Sequence, residues 1–143
     1  MSEPFTIGIT HDMPAAVGQL GLDGVGLRLV EAEPRVSWEL IREEVDEITP
    51  AIAARYDAIV TLRPRYSAGS LAGPDRRLAL IARFGVGYDR IDVAACDRAG
   101  VLITITPDGV RRPVAQAVLT FMLALAGRLL DKDRITRAGE WER

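Results

Sequence analysis

The sequence predicts an α/β fold: a flavodoxin-like, doubly wound parallel sheet of five strands, followed by a long apolar helix. Three observations carry this. Short β-branched apolar runs alternate with helix-like segments, the pattern of a parallel sheet wrapped by crossovers. The 143 residues, 48% of them hydrophobic, furnish one sizeable core without a metal or disulfide staple. After Pro107 the alternation stops and a single long apolar segment takes over.

Taken in order, Phe5-Thr6-Ile7-Gly8-Ile9-Thr10 reads as the first strand, rich in β-branched residues and ended by His11-Asp12-Met13-Pro14. A short helix is expected from Pro14, since proline suits a first helical turn. Val25 to Val30 reads as the second strand. Trp38 to Ile48 reads as an acidic amphipathic helix, with Ser37 as N-cap and Leu40, Ile41, Val45 and Ile48 as its inner stripe. Tyr56 to Thr61 is the third strand and Leu78 to Phe84 the fourth. Ile91 to Arg98 is a helix closed by Gly100, where left-handed geometry is wanted. Val101 to Thr104 is the fifth strand. Right-handed crossovers between five such strands give the doubly wound sheet.

Residues 1–107 are therefore assigned to this sheet domain, and residues 108–143 to a linking helix and the start of a second domain. Val114 to Leu130 is apolar nearly all round, with Arg111, Arg112 and Arg128 at its flanks. Its uncharged core, Ala117 to Ala126, carries Thr120 and falls well short of the ~20 residues that cross a bilayer. A helix apolar on every side has to be covered by protein, so a second domain or second subunit is expected against it.

Charge narrows the partners. The net charge is −2, which argues against a dedicated nucleic-acid binder. Residues 1–72 sum to −5 and residues 73–143 to +3, too mild a split to imply a polyanion. Of the 18 basic residues only Lys132 is lysine, a compositional habit, since the arginines do not cluster. The single Cys96 cannot form an intramolecular disulfide, and no zinc-like spacing is present. Met1-Ser2-Glu3-Pro4 does not open a signal peptide, so a cytoplasmic location is the default expectation.

The segment richest in chemistry is Arg83-Phe84-Gly85-Val86-Gly87-Tyr88-Asp89-Arg90-Ile91-Asp92. A strand runs into Gly-Val-Gly and then into a helix. A dinucleotide loop needs a third glycine three residues after the second, and Arg90 stands there. The turn also follows the fourth strand, not the first. Two roles stay open: a plain strand–helix turn, or one whose consecutive N–H groups receive a small anion such as a carboxylate. His11 follows the first strand at the ligand-binding edge of such sheets, as either a loop residue or a substrate contact. Glu43-Glu44-Val45-Asp46-Glu47 reads as a solvated helix face, not a metal site. Asp89 and Asp92 read as caps, Cys96 as a small buried hydrophobe, and Trp38 and Trp141 as packing residues.

With its flanks the segment says more. It is followed by Ala99-Gly100-Val101, Thr106-Pro107-Asp108-Gly109-Val110, Pro113-Val114-Ala115-Gln116-Ala117, the apolar helix, and Gly139-Glu140-Trp141. From residue 83 to 141 this order resembles the N-terminal part of the D-isomer-specific 2-hydroxyacid dehydrogenases. Residues 5–82 are compatible with it in strand order. The resemblance implies a flavodoxin-like substrate domain joined through the long helix to a Rossmann domain, and a homodimer built around Val114–Leu130. It implies that the amides of Val86 and Gly87 receive the substrate carboxylate, that the loop carrying Arg63 closes over the substrate, and that Val114 lies near the nicotinamide. Arg63 can add a bidentate carboxylate contact; a solvated surface arginine is the other reading, and a core contact at a helix start is the other reading of Val114. Two positions depart from the pattern: Gln116 where Glu is usual and Arg90 where Asn is common.

The same resemblance implies NAD or NADP as cofactor and a small 2-keto or 2-hydroxy acid, glyoxylate- or hydroxypyruvate-like, as substrate. Hydride transfer also needs an arginine and a histidine–acid pair, which the resemblance locates beyond the long helix. The expectation is thus a protein about twice as long, of which these 143 residues alone are inactive. The rival reading is a stand-alone, non-catalytic flavodoxin-like module that binds a small carboxylate or a protein partner. Neither a nucleic-acid nor a membrane partner is expected.

Overall fold

The computed structural model describes residues 4–13 and 25–140. The helix predicted from Pro14 and the side chain of Trp141 lie outside the described residues. The chain divides into two compact units, Met1–Thr106 and Pro107–Arg143.

The first unit contains β1 (Phe5–Ile9), α1 (Val25–Glu31), β2 (Val36–Leu40), α2 (Pro50–Ala53), β3 (Ala58–Thr61), β4 (Leu80–Arg83), α3 (Val93–Ala99) and β5 (Leu102–Thr104). All five strands are parallel, in the order β2-β1-β3-β4-β5. This is the doubly wound order that the alternation predicts.

Two elements differ from the reading of the sequence. Val25–Glu31 is a helix, not the second strand. A run this short satisfies both periods, and Leu29, 74% exposed, has no sheet to enter. The second strand is instead Val36–Leu40, where Val36, Trp38 and Leu40 alternate with Ser37 and Glu39. Consequently the helix predicted over Trp38–Ile48, with Ser37 as its cap, does not form, and residues 41–48 run irregularly after β2.

What ties residues 41–48 down is a set of long-range contacts. The Glu43 carboxylate lies 2.7 Å from Arg55, and Asp46 lies 2.5 Å from Arg90. Glu47 accepts from the Ser67 hydroxyl at 2.5 Å. The backbone joins in: Arg65 N–H donates to Asp46 C=O, and Ile48 N–H to Arg65 C=O. Glu43 is held below the ordinary carboxylate range, first by its own backbone N–H and then by Arg55. The acidic run is thus neither a helix face nor, among the described residues, part of a metal cluster. Of the predicted inner stripe, Ile41 and Ile48 reach the core, each 1% exposed, and Val45 packs against it, whereas Leu40, on β2, is 45% exposed.

The core packs Ile41, Ile48, Ile52, Tyr56, Leu78 and Ile81 around the central strands. Gly8 in β1 makes room for it: a Cβ there would stand 2.8 Å from the Tyr56 ring. α3 begins and ends by local chemistry. Asp92 is its N-cap and accepts from Ala95 N–H at 2.9 Å, while Gly100 closes it at φ 67°. Asp89 takes no part in that cap. Cys96 is buried among the core residues, and burial pushes its thiol pKa up, which leaves it a packing residue.

The second unit consists of α4 (Pro107–Ala126) and α5 (Leu129–Arg137). The apolar helix predicted to run through Leu130 stops earlier, at Gly127-Arg128. Arg128 takes φ 51°, in the left-handed region, and the two helices meet at 59°. Within its own unit α4 buries none of its residues. Among the described residues no single helix is long and apolar enough to cross a membrane, although the bent pair α4–α5 passes on length and composition together.

Candidate functional site

In a parallel sheet every strand points its carboxyl end the same way, so the loops after the strands gather along one edge. Here the register sets two of them side by side. Thr61 at the end of β3 pairs with Arg83 at the end of β4, and the ladder runs one step further as Phe84 N–H donates to Thr61 C=O at 2.9 Å. Two residues beyond Thr61 comes Arg63, and two beyond Arg83 comes Gly85. The arginine loop and the glycine turn are therefore neighbours.

The turn is built around Gly85, whose φ of 136° is open to glycine alone. A Cβ there would also meet the Arg83 guanidinium at 2.8 Å. Arg83 folds over the turn and donates through Nη1 to Phe84 C=O. From the other side Thr106 clasps Gly85 twice. Gly85 N–H donates to Thr106 Oγ1 at 2.8 Å, and Thr106 N–H donates to Gly85 C=O at 2.8 Å. With Gly85 so fixed, the chain emerges into the exposed residues Val86 and Gly87. Among the described residues neither of their amides has a hydrogen-bond partner. Two consecutive amides without partners at a strand end are donors for an anion. The Asp89 carboxylate stands close by, 3.2 Å from where a Gly87 Cβ would be.

Arg63 is held by its backbone. Its N–H donates to Asp12 Oδ2 at 2.8 Å, and the other Asp12 oxygen accepts from Thr10 Oγ1 at 2.5 Å. The carboxylate at the end of β1 thus anchors the loop after β3. The Arg63 guanidinium, exposed, forms no ion pair among the described residues. Beneath the loop Tyr66 and Thr61 are each 1% exposed, and neither hydroxyl has a hydrogen-bond partner among the described residues. Burial drives the Tyr66 pKa well above the ordinary tyrosine value.

The predicted residues fall into two groups. Arg63, Val86 and Gly87 share the carboxyl edge of the sheet, and Val114 belongs to the second unit, on α4 directly after Pro113. His11 follows β1 on the same edge as the first group; its Nε2 lies 3.9 Å from Glu44 Oε1, an acid neighbour that the sequence does not suggest. Three contributors are not legible in the sequence: Asp12, Arg83 and Thr106. Each acts by fixing a neighbour, and Asp12 does so across 51 residues. The adjacency of Asp12 to the end of a first strand is the one signal that marks it.

The Gly85-Val86-Gly87 turn is not a dinucleotide loop. It lacks the third glycine of such a loop, where Arg90 stands, and the Asp89 carboxylate lies beside Gly87.

Residues 22–126 match the family model described as "D-isomer specific 2-hydroxyacid dehydrogenase, catalytic domain". A glyoxylate reductase of Thermococcus gammatolerans is 36% identical over 106 residues, covering 74% of this chain and 32% of its own length. A D-3-phosphoglycerate dehydrogenase of Synechocystis is 31% identical over 124 residues, covering 85% of this chain and 22% of its own length. The chain thus spans about a third or less of the curated relatives it matches. Among solved structures, a Pyrococcus horikoshii protein superposes with TM-score 0.70 at 20% identity, covering 100% of this chain and 39% of its own. The pyruvate reductase of Chlamydomonas reinhardtii does so with TM-score 0.63, at 20% identity over 99% of this chain and 40% of its own. At these identities the two structures speak for the fold.

Proposed function

The chain belongs to the D-isomer specific 2-hydroxyacid dehydrogenases, and from that premise we propose that it is the substrate-binding part of an oxidoreductase. The reaction is hydride transfer between NAD(P)H and a small 2-keto or 2-hydroxy acid of the glyoxylate or hydroxypyruvate kind. The observation that carries the substrate half of this reading is the pair of amides, Val86 and Gly87, beside the Arg63 guanidinium, none of which has a partner among the described residues.

A carboxylate answers both features. Its oxygens accept charge-assisted bonds from the two amides, and a guanidinium adds a bidentate pair. Preset amides cost little reorganisation on binding, which is what the Thr106 and Arg83 contacts to the turn provide. The Asp89 carboxylate beside Gly87 penalises a second negative charge there and so favours a monoanion. On this reading the share of these residues is to hold the acid. His11 faces Glu44 at 3.9 Å and has no assigned part in proton transfer. On this reading the 143-residue chain binds the acid and does not reduce it. We further propose a cytoplasmic protein that works as a homodimer through α4, with neither nucleic acid nor membrane as partner; the apolar, unburied length of α4 supports the dimer.

The test is a titration of the ¹⁵N-labelled chain with glyoxylate. The Val86 and Gly87 amide resonances are expected to shift saturably. Arg63→Gln should weaken binding about tenfold or more, the loss of a hydrogen bond to a charged group. Shifts that avoid both amides, or an unchanged affinity in Arg63→Gln, would overturn the assignment. The rival, a stand-alone carboxylate-binding module, predicts the same titration; it separates when the gene's complete product is assayed for NADH-dependent reduction of glyoxylate and hydroxypyruvate.

A further inference from the structure

Away from the carboxyl edge of the sheet, the loop before β4 and the helix α3 line an open hollow of about 300 Å³. Ala68, Leu71 and Gly73 form one wall, and Ala95 and Ala99 of α3 the other; Arg76 and Arg98 are the charged residues that line it. We propose that this hollow is a second anion site, built for a small dianion of the phosphate or phosphomonoester class. It goes beyond the carboxylate reading and stands or falls without it.

Charge is the first argument. No carboxylate lines the hollow. Among the described residues neither Arg76 nor Arg98 forms an ion pair, whereas the adjacent Arg77 lies 2.7 Å from Asp57. Asp75 and Asp97 neighbour the two arginines in sequence but not on the lining. Two cations on one concave surface without an internal counter-ion repel each other, and a dianion removes that repulsion. A monoanion leaves one charge uncompensated.

Preorganisation is the second. Arg76 donates through Nη1 to Leu78 C=O and through Nη2 to Ala99 C=O at 2.6 Å. Those bonds fix the guanidinium before any ligand arrives and leave it three further N–H donors. They also seat Arg76 at the carboxyl end of α3, where a cation is favoured. The room is the third argument. Gly73 takes φ 110° with open space at its Cβ position, and alanines make up three of the lining residues. The side chains that could fill the space are absent, and the volume sits at the small end of ligand pockets.

The experiment uses inorganic phosphate as probe on the ¹⁵N-labelled chain at constant ionic strength, with acetate as the monoanion control. Saturable shifts are expected across residues 68–76 and the last turn of α3, with acetate producing none there. Arg98→Gln, an exposed position whose loss leaves the fold intact, should weaken phosphate binding about tenfold; Arg63→Gln should leave it unchanged. A non-saturating response, equal affinity in Arg98→Gln, or shifts confined to Gly85–Gly87 would overturn the second site. Equal shifts with acetate would overturn the dianion class.

Discussion

At the scale of single residues, the molecule shows how often one side chain decides what a neighbour can do. Tyr56 lies against the glycine of β1, its hydroxyl donating to Glu39 Oε1 at 2.7 Å and its ring under the Arg55 guanidinium at 5.3 Å. Burial first, and then the Glu39 carboxylate, push its pKa from 10.0 up to about 12. The sign comes from linkage. Below pH 10 both folded and unfolded chains hold this proton and the contribution is constant. Between pH 10 and 12 the unfolded chain loses the proton first, so stability falls as pH rises. Urea denaturation across that window should show the decline, and Tyr56→Phe should shallow it; the slope that remains belongs to Tyr66 and Cys96, which are shifted in the same direction. An identical slope in the variant would remove Tyr56 from the account. Legibility is uneven at this scale. Gly85-Val86-Gly87 announces itself, because a strand, a Gly-x-Gly and a helix in succession force a turn. Asp12 does not, since its partner lies 51 residues away and only the fold brings them together.

Among the elements, the helix α3 is the most readable because its limits are written locally. Asp92 caps one end and Gly100, in left-handed geometry, the other. Nothing lies within 4 Å of a Cβ built on Gly100, so Gly100→Ala tests backbone cost alone. It should lower stability by about 1 kcal/mol with the native shift pattern of the sheet preserved. A neutral substitution would mean that the left-handed cap carries no weight. β2 and α1 are misread from sequence for a physical reason. Val25–Glu31 and Val36–Leu40 are too short for periodicity to arbitrate, and their tertiary surroundings decide. Of the predicted inner stripe Ile41 and Ile48 are buried and Val45 partly so, whereas Leu40 is 45% exposed, and none of them lies on a helix. Helicity needs local hydrogen bonds, and this acidic run spends its groups on distant partners instead.

For the whole molecule, the strand order is recoverable even with two elements exchanged. Parallel crossovers permit few arrangements of five strands, and a helix for a strand in one place and the reverse in another leaves the count unchanged. Assembly through α4 is the prediction that belongs to this scale. Val118, Phe121, Leu123 and Leu125 are each more than half exposed, a larger apolar stretch than single soluble proteins carry. The proposed homodimer predicts a sedimentation-equilibrium mass of twice the monomer at micromolar concentration. Leu123→Glu with Leu125→Glu should return it to a monomer, because two carboxylates cannot be desolvated at such an interface without partners. A wild-type chain that sediments as a monomer would refute it.

The double clasp between Gly85 and Thr106 has a mechanical consequence. Thr106 is the last residue of the first unit, and Pro107 opens the second. The chain therefore leaves the sheet from a residue bolted to the very turn whose amides face outward. No loop separates Thr106 from Pro107, so the two hydrogen bonds to Gly85 lie at the very end of the first unit. The residue that precedes the second unit is thus also the one that fastens the turn proposed to hold the acid.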